Sequence, residues 1–281
     1  MDLADLDTAL ATARRAGVAL RHDLGQHLLV DRRVLDTILD ALDIGPSDGV
    51  LEVGPGIGTL TVELAARARR VVAVELDPAC ARATRRSLAA AGGRASVEVV
   101  EGDALGFDPG AAGLDDGWLA AGNIPYSITG ALLEHILGAP VPPRRAVFLV
   151  QREVARRLAA PSGDWSLATV VVRTLATAER LDDVPPAAFA PPPRVWSSVL
   201  RLSPARTFAA DERQRVVDVA RACFQLRRKV LRHGVARACG GDEAAASAAL
   251  SEAGIDTRRR PGELDLDEWR RLAAAVSGAR R

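Results

Sequence analysis

V-L-E-V-G-P-G-I-G-T-L, residues 50–60, decides the fold of this 281-residue chain. A short β-branched run meets glycines at 54, 56 and 58, and a helical pattern opens directly behind them at Thr59. Glycine at such a junction lets the backbone turn sharply and lets a ligand approach with no Cβ in the way. A loop of this kind also serves as a plain structural turn, so its meaning depends on what surrounds it.

Outward from the loop, short β-branched runs alternate with helical patterns. The runs are V-V-A-V-E at 71–75, V-E-V-V at 97–100, W-L-A-A-G at 118–122 and Ala146–Val150. Helices are expected over Thr59–Ala68, over Pro78–Ala91 with proline in the first turn, and over Arg152–Ala159. Strands separated by helices imply βαβ units and a parallel sheet. Two more strands, Ala168–Ala176 and Ser198–Leu202, bring the expected count to seven. Between them V-P-P-A-A-F-A-P-P-P-R-V, 184–195, carries five prolines and reads as a rigid extended loop. Beyond Pro204 the β signal ends, and Asp211–Cys239, Asp242–Ala253 and Asp265–Val276 read as helices. The expected architecture is α/β: a seven-stranded Rossmann-like sheet over 1–205, binding the cofactor and carrying the chemistry, and a small helical domain over 206–281.

Composition narrows the function. Cys80, Cys223 and Cys239 form no C-x-x-C pair, and His22, His27, His135 and His233 are dispersed, so neither a disulfide framework nor a metal site is expected. No apolar run approaches the ~20 residues of a membrane span, and the acidic opening M-D-L-A-D-L-D is unlike a targeting peptide, so a cytoplasmic protein is expected. A monomer is the working expectation. The formal net charge is only +1, so binding to nucleic acid must rest on a local patch. Arg221–Arg237 supplies one: Arg221, Arg227, Arg228, Lys229, Arg232 and Arg237 occur without an intervening acid. Phosphate contacts are the natural use, although a basic helix face is also commonly just solvated.

The spacing G-x-G-x-G, with Thr59 where a dinucleotide-binding turn has its third glycine, favours S-adenosyl-L-methionine over a nicotinamide cofactor. Gly54 and Gly56 would line the ligand. Glu75 ends the second strand, where a carboxylate accepts hydrogen bonds from both ribose hydroxyls. Asp103, in E-G-D-A after the third strand, is placed to take the adenine amine.

After the fourth strand comes G-N-I-P-Y, 122–126. An aromatic amine delocalises its lone pair into the ring and attacks a methyl sulfonium poorly until its nitrogen pyramidalises. Asn123 Oδ1 and the Ile124 carbonyl can each accept one amine hydrogen, which localises the lone pair and aims it. Pro125 biases Ile124 to an extended conformation. Tyr126, the only tyrosine, offers a face on which an extruded base stacks. The alkylated amine is a strong acid that loses its proton to water, so no catalytic base is needed.

These motifs resemble those of the rRNA adenine dimethyltransferases, and nearly the whole chain is similar to the KsgA-type small-subunit branch. The resemblance runs from L-G-Q-H-L-L-V-D, 24–31, through N-I-P-Y, to R-R-P-G-E-L-D-L-D-E-W, 259–269. It implies dimethylation of two adjacent adenines of 16S rRNA in a pre-assembled small subunit. It also implies cofactor contacts from His27 and Leu29, His27 standing where the family has asparagine, and from Asn123. V-P-P-x-x-F-x-P-P-P-x-V-x-S resembles the family loop that places a second aromatic, here Phe189, over the target base. F-Q-L-R-R-K-V-L-R resembles the family's basic RNA-contacting segment.

Three alternatives compete with this reading. An Erm-type large-subunit (23S) enzyme conferring macrolide resistance is favoured by N-I-P-Y but disfavoured by the proline loop and by A-G-I-D-T-R-R-R-P-G-E-L. A non-catalytic RNA-binding factor would not need Gly54, Glu75, Asp103 and Asn123 intact. A small-molecule methyltransferase would explain the fold but not the basic segment.

Overall fold

The structure, a computed structural model, describes residues 2–20, 26–92, 95–114, 117–205 and 207–279. The chain divides into two compact units, one of residues 1–155 and 178–204, the other of 156–177 and 205–281. The second unit therefore takes in 156–177 as well as the expected C-terminal stretch.

The main sheet has seven strands: β1 Gly49–Val53, β2 Arg70–Glu75, β3 Ser96–Glu101, β4 Leu119–Asn123, β5 Arg145–Gln151, β6 Ala176–Val184 and β7 Ser197–Pro204. Their spatial order is β3-β2-β1-β4-β5-β7-β6. The pairs β1/β2, β2/β3, β1/β4 and β4/β5 are parallel, and β5/β7 is antiparallel. Every residue of β1 is buried, as a central parallel strand covered on both faces requires. The order reverses beside β1, and ligands of open α/β sheets bind outside the carboxyl ends of the strands at such a point. Register does the rest: Val53 lies opposite both Val74 and Gly122, so Gly54, Glu75 and Asn123 leave three adjacent strands at one level.

Around the sheet the first unit carries α1 Leu6–Arg15, α2 Arg32–Leu42, α3 Thr59–Arg67, α4 Pro78–Ala91 and α5 Thr129–Leu137, and α6 Arg152–Ala159 follows β5. Asp31 accepts from the Arg33 and Val34 N–H groups and starts α2; Asp77 accepts from Ala79 and, with Pro78 in the first turn, starts α4. The apolar face of α2 (Val34, Leu35, Ile38, Leu42) packs with Val50, Leu119, Val147, Leu149 and Val199.

Three expectations are corrected. Ala168–Ala176 is not a strand: Leu167–Arg173 forms helix α7, opened by a reciprocal Ser166–Thr169 capping box. Val170, Val171 and Val172 are all buried, so packing outweighs the β preference of the run, and β6 begins only at Ala176. Asp211–Cys239 is two helices, α8 Ala210–Phe224 and α9 Leu231–Ala238, so the Arg227-Arg228-Lys229 run lies in the turn between them. The proline segment, expected as a rigid extended loop without helix or strand, contains a 3-10 turn at Pro186–Ala188 and a two-residue strand, Phe189–Ala190, antiparallel to Leu28–Leu29.

The second unit is completed by α10 Glu243–Glu252 and α11 Leu266–Ala279. Its core gathers Trp165, Val170, Val216, Cys223, Leu231, Val235, Leu250 and Trp269. Cys80 and Cys223 are buried free thiols, burial pushing each up to about 12. They pack as small hydrophobes.

Candidate active site

The β1–α3 turn works through three glycines in the left-handed region, Gly54, Gly56 and Gly58, with φ of +68°, +61° and +92°. L-residues rarely adopt that conformation. The turn is tied to the next strand by the Gly54 N–H, which donates to the Val74 carbonyl at 3.0 Å.

Glu75 is the acid that the register brings beside this turn. Its Oε2 accepts from the Gly56 N–H at 3.0 Å and its Oε1 from the Asp77 N–H at 2.9 Å. Burial raises its pKa, against the pull of those two bonds. A carboxylate has about four acceptor positions, so two remain for a diol. Gln26 Nε2 donates to Asp77 Oδ2 at 2.9 Å and ties the opening motif to the same corner; Leu24 and Gly25 of that motif lie outside the described residues.

Asn123, at the end of β4, donates its Nδ2 to the His27 carbonyl at 2.7 Å. With the amide nitrogen committed, Oδ1 is the atom left to accept. His27 Nδ1 meets the Pro191 carbonyl at 2.6 Å, and since a carbonyl only accepts, Nδ1 carries the proton. The His27 and Tyr126 rings stand 6.3 Å apart at 26°, and the Tyr126 hydroxyl bonds Ser197 Oγ at 2.7 Å. Burial raises the Tyr126 pKa, so the phenol is neutral at neutral pH. Ile124 is buried and donates its N–H to the Leu149 carbonyl at 3.2 Å.

Gln26, His27, Leu28, Gly54, Gly56, Glu75, Leu76, Asn123 and Pro125 line a cavity of about 460 Å³. Ligand pockets usually measure about 300–1,000 Å³, so a nucleoside-sized cofactor fits. A neighbouring cavity of about 50 Å³ is lined by Leu29, Glu52, Gly54, Thr59 and Asn123.

Four expected site residues line neither cavity: Ile124 and Tyr126, which flank Pro125 in the loop described above, and Phe189 and Asp103, which are turned to other uses. Phe189 is 3% exposed and packs in the main core with Leu29 and Ile38, because pairing with Leu28–Leu29 holds its ring inward. Asp103 is exposed and uses Oδ1 to cap the Leu105 N–H at 2.9 Å.

Glu52 had no assigned role and proves distinctive. It is 1% exposed, its Oε2 has no hydrogen-bond partner among the described residues, and burial, reinforced by nearby Glu75, pushes its pKa up to about 8. The signal was present in the sequence: a lone acid inside the apolar run V-L-E-V. Leu76, 63% exposed beside Glu75, was also missed.

In the second unit Arg221, Arg227, Arg228, Lys229 and Arg232 are all exposed. Arg221, Arg227 and Arg228 line a groove of about 650 Å³ together with Arg157, Arg260, Trp165 and Phe224. Lys229 and Arg232 lie outside that lining.

A buried carboxylate with acceptor positions to spare and, across β1 from it, an amide whose oxygen is left to accept suit the transfer of a group to an amino nitrogen; with this sheet order the class is an α/β methyltransferase. The comparisons carry this to a family. The model of the ribosomal RNA adenine dimethylases matches residues 17–276, and the chain belongs to that family. The chain is 37% identical over 261 residues to the ribosomal RNA small subunit methyltransferase A of Dehalococcoides mccartyi (strain CBDB1), covering 92% of this chain and 89% of that one. The protein of that name from Anaeromyxobacter dehalogenans is 40% identical over 265 residues, with 90% and 92% covered. Among solved structures, the 23S rRNA methyltransferase ErmE superposes with a TM-score of 0.69 at 30% identity, over 89% of this chain and 99% of that one. A dimethyladenosine transferase from Plasmodium falciparum gives 0.72 at 24% identity, covering 89% and 97%, and shows the same fold.

Proposed function

We propose that the chain dimethylates the N6 amine of adenines in small-subunit (16S) rRNA, two adjacent adenines in an assembling subunit, with S-adenosyl-L-methionine as donor. The observation that carries the reading is the Asn123 amide, its nitrogen held by the His27 carbonyl and its oxygen left as an acceptor beside the glycine turn.

Bound S-adenosyl-L-methionine supplies an electrophilic methyl group on a sulfonium. Glu75 holds the ribose diol, and Gly54 and Gly56 admit the donor without a Cβ in its path. Asn123 Oδ1 and the Ile124 carbonyl hold the two hydrogens of the target amine, and Pro125 fixes the spacing between them. Tyr126, its hydroxyl anchored on Ser197, stacks against the extruded base and offsets part of the unstacking cost. His27 and Leu29 border the donor, and Arg221, Arg227, Arg228, Lys229 and Arg232 contact RNA phosphates.

Small-subunit rather than large-subunit rRNA is favoured by relatives at 37% and 40% identity that bear the small-subunit name, against 30% for the 23S enzyme. The test offers labelled donor with immature small subunits and with protein-free 23S rRNA, and identifies the nucleosides by mass spectrometry. Dimethyladenosine from the small-subunit substrate alone is expected; label in 23S rRNA alone would contradict the assignment.

A further inference from the structure

Trp196 is the one tryptophan left open to solvent: it is 43% exposed, whereas Trp118, Trp165 and Trp269 are 3%, 4% and 0% exposed. Arg194 and Val195, directly before it, are exposed too. The ring is braced from one side. The Arg152 guanidinium lies 5.2 Å from the ring centroid, and the Arg152 N–H donates to the Trp196 carbonyl at 3.0 Å. Among the described residues, neither Arg152 nor Arg194 has a carboxylate partner.

A single exposed apolar residue needs no explanation. An indole held by one guanidinium, with a second exposed arginine two residues before it in the chain, at the edge of a reaction site, is a different arrangement. The next residue, Ser197, is the one whose hydroxyl holds Tyr126 at 2.7 Å. A π face among unneutralised cations suits a polyanion whose units carry flat rings, which describes unpaired RNA. It suits a protein partner less well, since a protein face would have to bring carboxylates to both arginines.

We propose that Trp196, braced by Arg152 and preceded in the chain by Arg194, is a stacking platform for an unpaired base next to the target adenine, with the adjoining phosphate on the two guanidiniums. The proposal rests on the RNA-methylating reading above.

The experiment titrates tryptophan emission with a synthetic RNA hairpin bearing two adjacent unpaired adenines, at fixed ionic strength, for the wild type, Trp196→Phe and Trp196→Ala. Hairpin affinity is measured separately by anisotropy of a labelled copy, and methyl transfer to the hairpin and to immature small subunits is followed in parallel. Because Trp165 lines the arginine groove, the part of the quench that Trp196→Ala abolishes is what reports on Trp196. The expected result is a quench in the wild type that Trp196→Ala loses, with Kd and KM for RNA raised about tenfold and kcat within about twofold. Trp196→Phe, which keeps a ring, stays within about threefold of the wild type. Failure of the wild type to bind the hairpin, binding without quench, or an unchanged Kd in Trp196→Ala would each overturn the platform. If methylation proceeds while Trp196→Ala matches the wild type, the platform falls and the methylating reading stands. Quench and affinity loss without methyl transfer to either RNA would do the reverse. A sedimenting dimer that Trp196→Ala converts to monomer would assign the patch to a second copy of the chain and overturn the proposal.

Discussion

Glu52 sits where an apolar side chain would be expected, in the middle of the central strand. Its carboxyl is pushed from 4.5 up to about 8, so the folded chain holds a proton that the unfolded chain releases between those values. The stability this contributes is full below about 4.5 and is lost as the pH climbs through about 8. Glu52→Gln removes the dependence. Melting the cofactor-free proteins at pH 5 and pH 8.5 is expected to show the variant gaining on the wild type at the higher pH, by up to about 1.4 kcal/mol per pH unit across the window. Parallel curves would contradict this. At the same scale, the gathering of Gly54, Gly56, Glu75 and Asn123 around one cavity was legible because residue type and strand end coincide. The position of Phe189 was not, because only the pairing of Leu28–Leu29 with Phe189–Ala190 decides which way that ring points.

Elements read well where their ends are chemically marked. Helix α4 runs over Pro78–Ala91 as expected, with Asp77 and Pro78 at its start and Gly92, φ +68°, at its end. Reading failed where composition and packing disagree: T-V-V-V reads as strand, yet Ser166 opens a helix there. It failed again at Gln225–Val230, where nothing in an otherwise helical pattern marks the break. Close approach of elements fixes two further positions. A Cβ on Gly122 would lie 2.3 Å from the Val53 carbonyl oxygen, and one on Gly234 would lie 2.5 Å from Cys223 Cα. Gly122→Ala must push β4 away from β1 and move Asn123 with it, at a cost of about 2–3 kcal/mol or a Tm drop of roughly 5–10 °C. Gly234→Ala, which separates α8 from α9, should lower Tm similarly. Gly102→Ala, with nothing within 4 Å of the added carbon, is the control and should change stability by less than about 0.5 kcal/mol. Thermal melts that fail to separate Gly122→Ala from this control would contradict the packing account.

At the scale of the whole molecule, seven strands in one sheet were foreseen, and one of them had to be relocated. That the groove of the second unit also takes Arg157 and Arg260 was not foreseen, since those residues lie far in sequence from the Arg221–Arg237 run. With a net charge of +1, the RNA contact proposed above rests on these local cations, which share the groove with Asp164 and Glu263. Replacing Arg227 and Arg228 by alanine is expected to raise KM for rRNA several-fold at 150 mM salt and to reduce the salt slope of binding by about one per lost phosphate contact. Loss of kcat at saturating RNA, with KM unchanged, would place these residues in the chemistry instead.

The central claim is that the Asn123 amide, oriented by the His27 carbonyl, holds the amine to be methylated. Single-turnover methyl transfer by Asn123→Ala, measured on the RNA that the wild type labels and alongside donor affinity by calorimetry, tests it most directly. The account predicts a rate lower by about 100- to 1,000-fold with donor affinity within a few-fold of the wild type. A rate within about threefold of the wild type, or a loss explained wholly by weaker donor binding, would contradict it.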